Sequence, residues 1–177
     1  MGTDVDEPPG VVLPTIRDAV WFDELFAAYA HLVHTYFRRR ADPTDAEDLA
    51  ADVLATAWRR REDVPEGFEL AWLYRTAGFV LANFRRKARP IPVAEVPDGD
   101  GDYAPDPAQV VIEDEAVQQV LNQLNARERH ILLLNVWEGL DGEGLGRALG
   151  LSRGGAAAAL SRARARLREQ WQLRVER

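Results

Sequence analysis

The sequence predicts an all-α protein built as two small helical domains joined by a flexible acidic linker. Three observations predict it. Apolar residues recur at three- and four-residue spacings through much of residues 18–87, the signature of amphipathic helices. Residues 137–168 read as two short helices around a glycine turn, followed by an arginine-ridged helix. Between these regions lies a segment that no helix tolerates, and no stretch of the chain alternates as a strand.

The first helix is expected from Asp18 to about Arg40. Trp21, Leu25, Phe26, Tyr29, Leu32, Val33, Tyr36 and Phe37 form its apolar stripe, and the closing arginines suit a helix C-terminus. Asp42-Pro43 breaks it. Thr44-Asp45-Ala46-Glu47 fits a capping box, with Thr44 and Glu47 each satisfying an orphan N–H, and opens a helix that runs to about Arg60. At 100° per residue Asp45, Asp48 and Asp52 fall within about 60° of one another, while Ala46, Ala50, Val53, Leu54, Ala57 and Trp58 occupy the broad opposite side. Dipole compensation accounts for Asp45 and Asp48 but less well for Asp52, and an acidic stripe beside an exposed Leu49 suits a basic partner helix.

Glu62 to Gly67 is a loop, punctuated by Pro65 and Gly67. The third helix runs from Phe68 to about Lys87. Its aromatics Phe68, Trp72, Tyr74, Phe79 and Phe84 alternate with Arg75, Asn83, Arg85, Arg86 and Lys87, a mixture that suits stacking on unpaired bases while holding a backbone. Leu73, Val80 and Leu81 are expected in the core; Trp72 and Tyr74 are divided between core and base stacking.

Pro90 to Gln109 holds five prolines and two glycines without helical period, so it is expected to be extended. It also carries the charge imbalance. The net charge is −7, yet residues 91–115 contain eight acidic residues and no basic one, and residues 1–10 add three more acidic residues. Setting those aside leaves the remainder at +4, with arginines clustered at 38–40, 59–61, 85–89 and 162–168. One such cluster is usually a solvated face. Four of them beside a helix-turn-helix raise the expectation of phosphate contact.

In the second module Asp141 is placed as an N-cap, Leu145, Ala148 and Leu149 form an apolar face, Gly150 ends the helix and Ser152 caps the next. This is the helix-turn-helix pattern, whose second helix normally enters the DNA major groove.

Taken together, DAEDLAADVLATAWRR, AWLYRTAGFVLANFRRKAR and WEGLDGEGLGRALGLS ending in LSRARARLR resemble the extracytoplasmic-function (group IV) sigma factors of bacterial RNA polymerase, over about residues 20–170. The resemblance implies a sigma region 2 helical bundle over 15–89 and a sigma region 4 helix-turn-helix over 113–177. Residues 1–14 would be a disordered acidic tail and 90–112 an acidic linker able to mimic nascent RNA. It implies that Asp45, Asp48, Leu49, Asp52, Val53 and Trp58 grip the clamp helices of the polymerase β′ subunit. Glu62, Phe68, Trp72, Tyr74, Arg75, Asn83, Arg85, Arg86 and Lys87 would melt and capture the −10 promoter element. Arg147, Ser152, Arg153, Ala157, Ser161 and Arg162 would meet the −35 element, with the β flap as a further contact and an anti-sigma protein as a conceivable regulator.

The sequence departs from the family at Gly78-Phe79, where relatives carry a basic pair, and in the second module. Gly142, Gly144 and Gly146 fall in one short helix and would cost it on the order of 2–3 kcal/mol relative to alanine. Ala157, Ala158 and Ala159 stand where relatives offer Lys, Arg or Ser, and alanine makes no bidentate contact to guanine. Weak, shape-based or partner-dependent −35 recognition is therefore expected, and the first module should carry most of the promoter choice.

Other function classes fare worse. A stand-alone helix-turn-helix regulator explains the second module but neither the acidic helix nor the aromatic one. For an enzyme, His31 and His34 lack a zinc pattern, His130 is isolated, and no phosphate loop or nucleophile elbow is present. No catalytic residue, metal or cofactor is expected. With no cysteine, disulfides and thiol switches are excluded. No apolar run approaches the roughly 18 residues of a membrane span and the acidic start lacks a signal-peptide pattern, so a cytoplasmic protein without membrane insertion is expected.

Overall fold

Pro43 sits immediately after a well-placed aspartate, and that decides how the second helix begins. In the computed structural model, which describes residues 16–88, 112 and 114–176, Asp42 is the N-cap and accepts the Thr44 amide at 3.0 Å. Pro43 takes the first helical position, where its missing N–H is an orphan in any case. The capping box expected from Thr44 and Glu47 therefore does not form; the helix starts two residues earlier.

Seven α-helices and one 3₁₀ turn make up the described residues, without a strand. The first module contains α1 (Ala19–Arg38), α2 (Pro43–Arg59), the 3₁₀ turn Arg61–Asp63 and α3 (Glu69–Ala88). Asp18 caps α1 by accepting the Val20 and Trp21 amides. The three helices pack together around Val33, Tyr36, Phe37, Val53, Leu73 and Leu81, all buried. Val80, expected in this core, is only half-buried.

The second module contains α4 (Glu115–Asn122), α5 (Ala126–Val136), α6 (Gly142–Leu149) and α7 (Arg153–Val175). Asn125 and Glu128 form a capping box at the start of α5. Helix α7 packs on α4, α5 and α6, burying Ala156, Leu160 and Ala163 against Ile131, Leu134 and Leu145. None of the described helices is long and apolar enough to cross a membrane.

The two modules do not stand apart. Helix α6 lies on α3, so one apolar core runs continuously from α1 to α7. Most of the acidic segment, like the tail 1–14, lies outside the described residues, and the extended linker expected there with it.

Candidate nucleic-acid interface

Helix α2 separates its polar and apolar residues cleanly. Asp48 and Asp52 are exposed and Asp45 is half-buried, so the acidic stripe faces outward. Leu49 and Val53 point the other way and are buried in the core. The exposed Leu49 expected beside the stripe is thus corrected: its angular position places it on the packed side, where burying a leucine is worth about 1.5–3 kcal/mol. Trp58 is 39% exposed and meets Phe22 edge-on with centroids 5.4 Å apart, beside an exposed Phe26.

Helix α3 divides along its length. Its C-terminal half presents Phe79, Asn83, Arg86 and Lys87 to solvent, with Arg86 donating to Asn83 at 3.1 Å. Arg85 turns inward and donates to the Arg40 carbonyl at 2.8 Å, which ties α3 to the end of α1. The N-terminal half lies against the second module. Phe68 and Trp72 are half-buried, and the Arg147 guanidinium of α6 stands 4.2 Å from the Phe68 ring centre. Arg75 lies against Gly150, where an added Cβ would stand 3.3 Å from its guanidinium nitrogens. Tyr74, divided at the sequence level between core and stacking, is buried, with its ring 5.6 Å from that of Tyr36. Glu62 is exposed in the 3₁₀ turn.

The helix-turn-helix forms as its residue types require. Gly150 takes φ 67°, the left-handed region that ends a helix cheaply only in glycine, and Ser152 accepts the Gly155 amide at 3.0 Å. Asp141 occupies the N-cap position of α6 but makes no side-chain cap hydrogen bond. Gly146 is corrected from cost to requirement: a Cβ there would sit 2.8 Å from the Leu151 carbonyl oxygen, so the turn closes only over a glycine. On α7, Arg153, Ala157, Ser161 and Arg162 are exposed. Ala159 is buried in the α5–α7 core, so its lack of polar groups reflects packing rather than a lost base contact. Arg147 forms an ion pair with Glu143 at 2.8 Å, one turn back on α6.

Where the modules meet, the structure assembles a polar cluster that sequence reasoning missed. The Arg40 side chain, at the end of α1, is 2% exposed and donates from Nη1 to Glu138 at 2.7 Å and to the Tyr36 carbonyl at 3.0 Å. The Glu138 side chain is equally buried and also hydrogen-bonds the Tyr74 hydroxyl. Arg39 stands 3.6 Å from its second oxygen and packs its guanidinium 5.1 Å from the Trp137 ring centre. Burial, then the Glu138 charge, raises the Tyr74 pKa well above its usual value, so the phenol stays protonated and donates. Burial, with a smaller contribution from the Arg40 charge, lowers the His130 pKa to about 3. The partners lie 98 residues apart, and an arginine run at a helix end looks the same in sequence whether solvated or buried. Among the described residues no group of histidines and carboxylates is arranged to hold a metal.

Residues 25–91 match the Sigma-70 region 2 family and residues 114–167 the Sigma-70 region 4 family. The chain is 33% identical over 135 residues to the RNA polymerase sigma-E factor of Streptomyces coelicolor, covering 73% of each chain. It is 31% identical over 162 residues to the ECF RNA polymerase sigma factor SigD of Mycobacterium tuberculosis, covering 83% of this chain and 75% of that one. In fold it is similar to the sigma factor RpoE of Bartonella quintana, solved in complex with the anti-sigma factor NepR. That likeness has a TM-score of 0.56 and 22% identity, and covers 88% of this chain and 98% of that one.

Proposed function

Because this chain belongs to the sigma-70 family of RNA polymerase sigma factors, within its extracytoplasmic-function group, we propose a division of labour between its two modules. The protein is a transcription initiation factor that works with core RNA polymerase and promoter DNA. In our reading the module spanning 15–89 docks on the polymerase clamp and opens the −10 element. The module spanning 113–177 docks on the β flap and the −35 element, and residues 90–112 connect them. The chain has no catalytic role in this reading; it acts in the cytoplasm, where polymerase and promoter are. An anti-sigma protein stays among the expected partners on family grounds alone.

The observation that carries the −10 assignment is the exposed end of α3. Phe79, Asn83, Arg86 and Lys87 combine a ring, an amide and two cations on solvent-facing positions, the chemistry that holds an unstacked strand. For the clamp, Asp48 and Asp52 supply exposed charge while Leu49 and Val53 shape the helix from inside. On α7 the exposed stripe offers Arg153 and Arg162 to phosphates, but alanine at 157. We therefore assign α7 to backbone-dominated docking.

Run-off transcription with purified core polymerase tests both parts. Initiation should depend on this chain and on the −10 sequence. Scrambling the −35 hexamer should lower it by less than about tenfold, below the effect of losing two bidentate base contacts. A larger, hexamer-specific loss would refute the weak −35 reading. No promoter-specific initiation at all would refute the −10 assignment.

A further inference from the structure

We propose that Phe79 selects the base at one position of the unpaired −10 strand by stacking on it. That position is then chosen by ring size, purine over pyrimidine, and not by hydrogen-bond pattern. This deepens, and rests on, the assignment of the exposed face of α3 to the −10 element.

Gly78-Phe79 is the pair at which the sequence departs from its relatives, and the structure divides it. Gly78 is buried whereas Phe79 is 46% exposed, so only the ring can meet a ligand. A lone exposed phenylalanine is ordinary on a protein surface. This one stands in line with groups of another chemistry. Arg75, Phe79, Asn83 and Arg86 are all exposed. At 100° per residue they fall within about 80° of one another, a single polar stripe with a ring inside it. At about 1.5 Å per residue the stripe is about 16 Å long, the length of about five stacked nucleotides at ~3.4 Å each.

The neighbours define what the ring can take. The Arg75 guanidinium lies 5.9 Å from the ring centre, at the edge of cation–π range. Among the described residues no second ring packs on Phe79, so it stands beside a cation and stays open to a flat partner. One turn on, Asn83 accepts from Arg86 at 3.1 Å, which holds an amide and a cation in line for the strand's backbone. A phenyl ring has neither donor nor acceptor, so it cannot tell adenine from guanine by their edges. It registers the area of the π-face, which every base has and purines have more of. A cation at this position would instead add a phosphate contact and steepen the salt dependence.

The test uses the whole chain assembled with core RNA polymerase. Its probe is a fluorescent single strand, the non-template −10 strand of a promoter from which the chain initiates in run-off transcription, with an abasic site placed at each position in turn. With the unchanged chain, one abasic position should weaken binding by on the order of 10-fold. Adenine and guanine there should bind within about threefold of each other, and either pyrimidine more weakly. Phe79→Leu should weaken the intact strand by a similar factor and cancel the penalty of that abasic site, while Phe79→Trp retains both. The slope of affinity against salt should stay unchanged in Phe79→Leu and fall by about one in Arg86→Gln. Helix content by circular dichroism and assembly with core polymerase should be retained in Phe79→Leu. An abasic penalty that Phe79→Leu cancels nowhere, discrimination between adenine and guanine of about tenfold or more at that position, or a changed salt slope overturns the stacking role. Lost assembly would make Phe79 a polymerase contact, and lost helix content a packing residue; either overturns it too. All of these leave the −10 assignment standing, whereas the absence of any promoter-specific initiation refutes that assignment itself.

Discussion

At the scale of single residues the chain mixes positions that its sequence announces with positions that it hides. Gly150 and Ser152 were legible because turn and cap chemistry is local: a left-handed φ calls for glycine and an orphan amide calls for a hydroxyl. Arg40, Glu138 and His130 were not, since nothing local separates a solvated arginine from one buried against a glutamate far along the chain. His130 gives the hidden cluster a measurable signature. Unfolded, it binds a proton below about pH 6.5; folded, it stays neutral down to about 3. Between those values the unfolded state holds the extra proton, so this contribution to stability is complete above pH 6.5 and falls as pH drops toward 3. At pH 5 the loss should be roughly 2 kcal/mol. Urea unfolding of the chain and of His130→Leu should show it: the slope of stability against pH between 6.5 and 4.5 should flatten in the variant. Equal slopes would show that the site is not desolvated as described.

At the scale of elements, periodicity located α1, α2 and α3 nearly in full, and turn chemistry located α6 and α7. The errors came from competition between neighbouring signals. Asp42 outcompeted Thr44 for the start of α2 because proline at the next position is already fixed for a helix. Leu49 was read as exposed because the acidic stripe drew it outward, although Ala46, Ala50 and Val53 share its buried side. The glycines of α6 differ from one another in a way that composition cannot express. Gly146 is pressed by the Leu151 carbonyl, whereas a Cβ at Gly144 would meet only Leu140 Cδ2, at an ordinary 3.8 Å. Gly146→Ala should therefore destabilise the protein by about 1–3 kcal/mol. Gly144→Ala should stabilise it by up to about 1 kcal/mol. Chemical denaturation of the two variants checks this, and effects of the same sign would contradict the geometry.

For the whole molecule, no local pattern in the chain marks the core that the modules share. The proline-rich segment argued for separation in the chain, and separation in the chain was a poor guide to separation in space. Helix α6 reaching α3 is a tertiary fact, carried by Phe68 and Arg75 at the start of α3, Arg147 of α6 and Glu138 of the turn before it. One cooperative unit is the thermodynamic consequence. Scanning calorimetry of the unchanged chain should show a single unfolding peak, and Glu138→Gln should resolve it into two as the modules unfold independently. Two peaks before mutation would mean that the shared core does not couple them.

The buried pair also constrains how this chain can change. Losing Arg40 or Glu138 alone leaves one buried charge uncompensated, whereas replacing both removes the charge altogether. Substitutions at two positions 98 residues apart are therefore coupled, and a chimaera that takes one module from a relative keeps the pair only where both halves supply it.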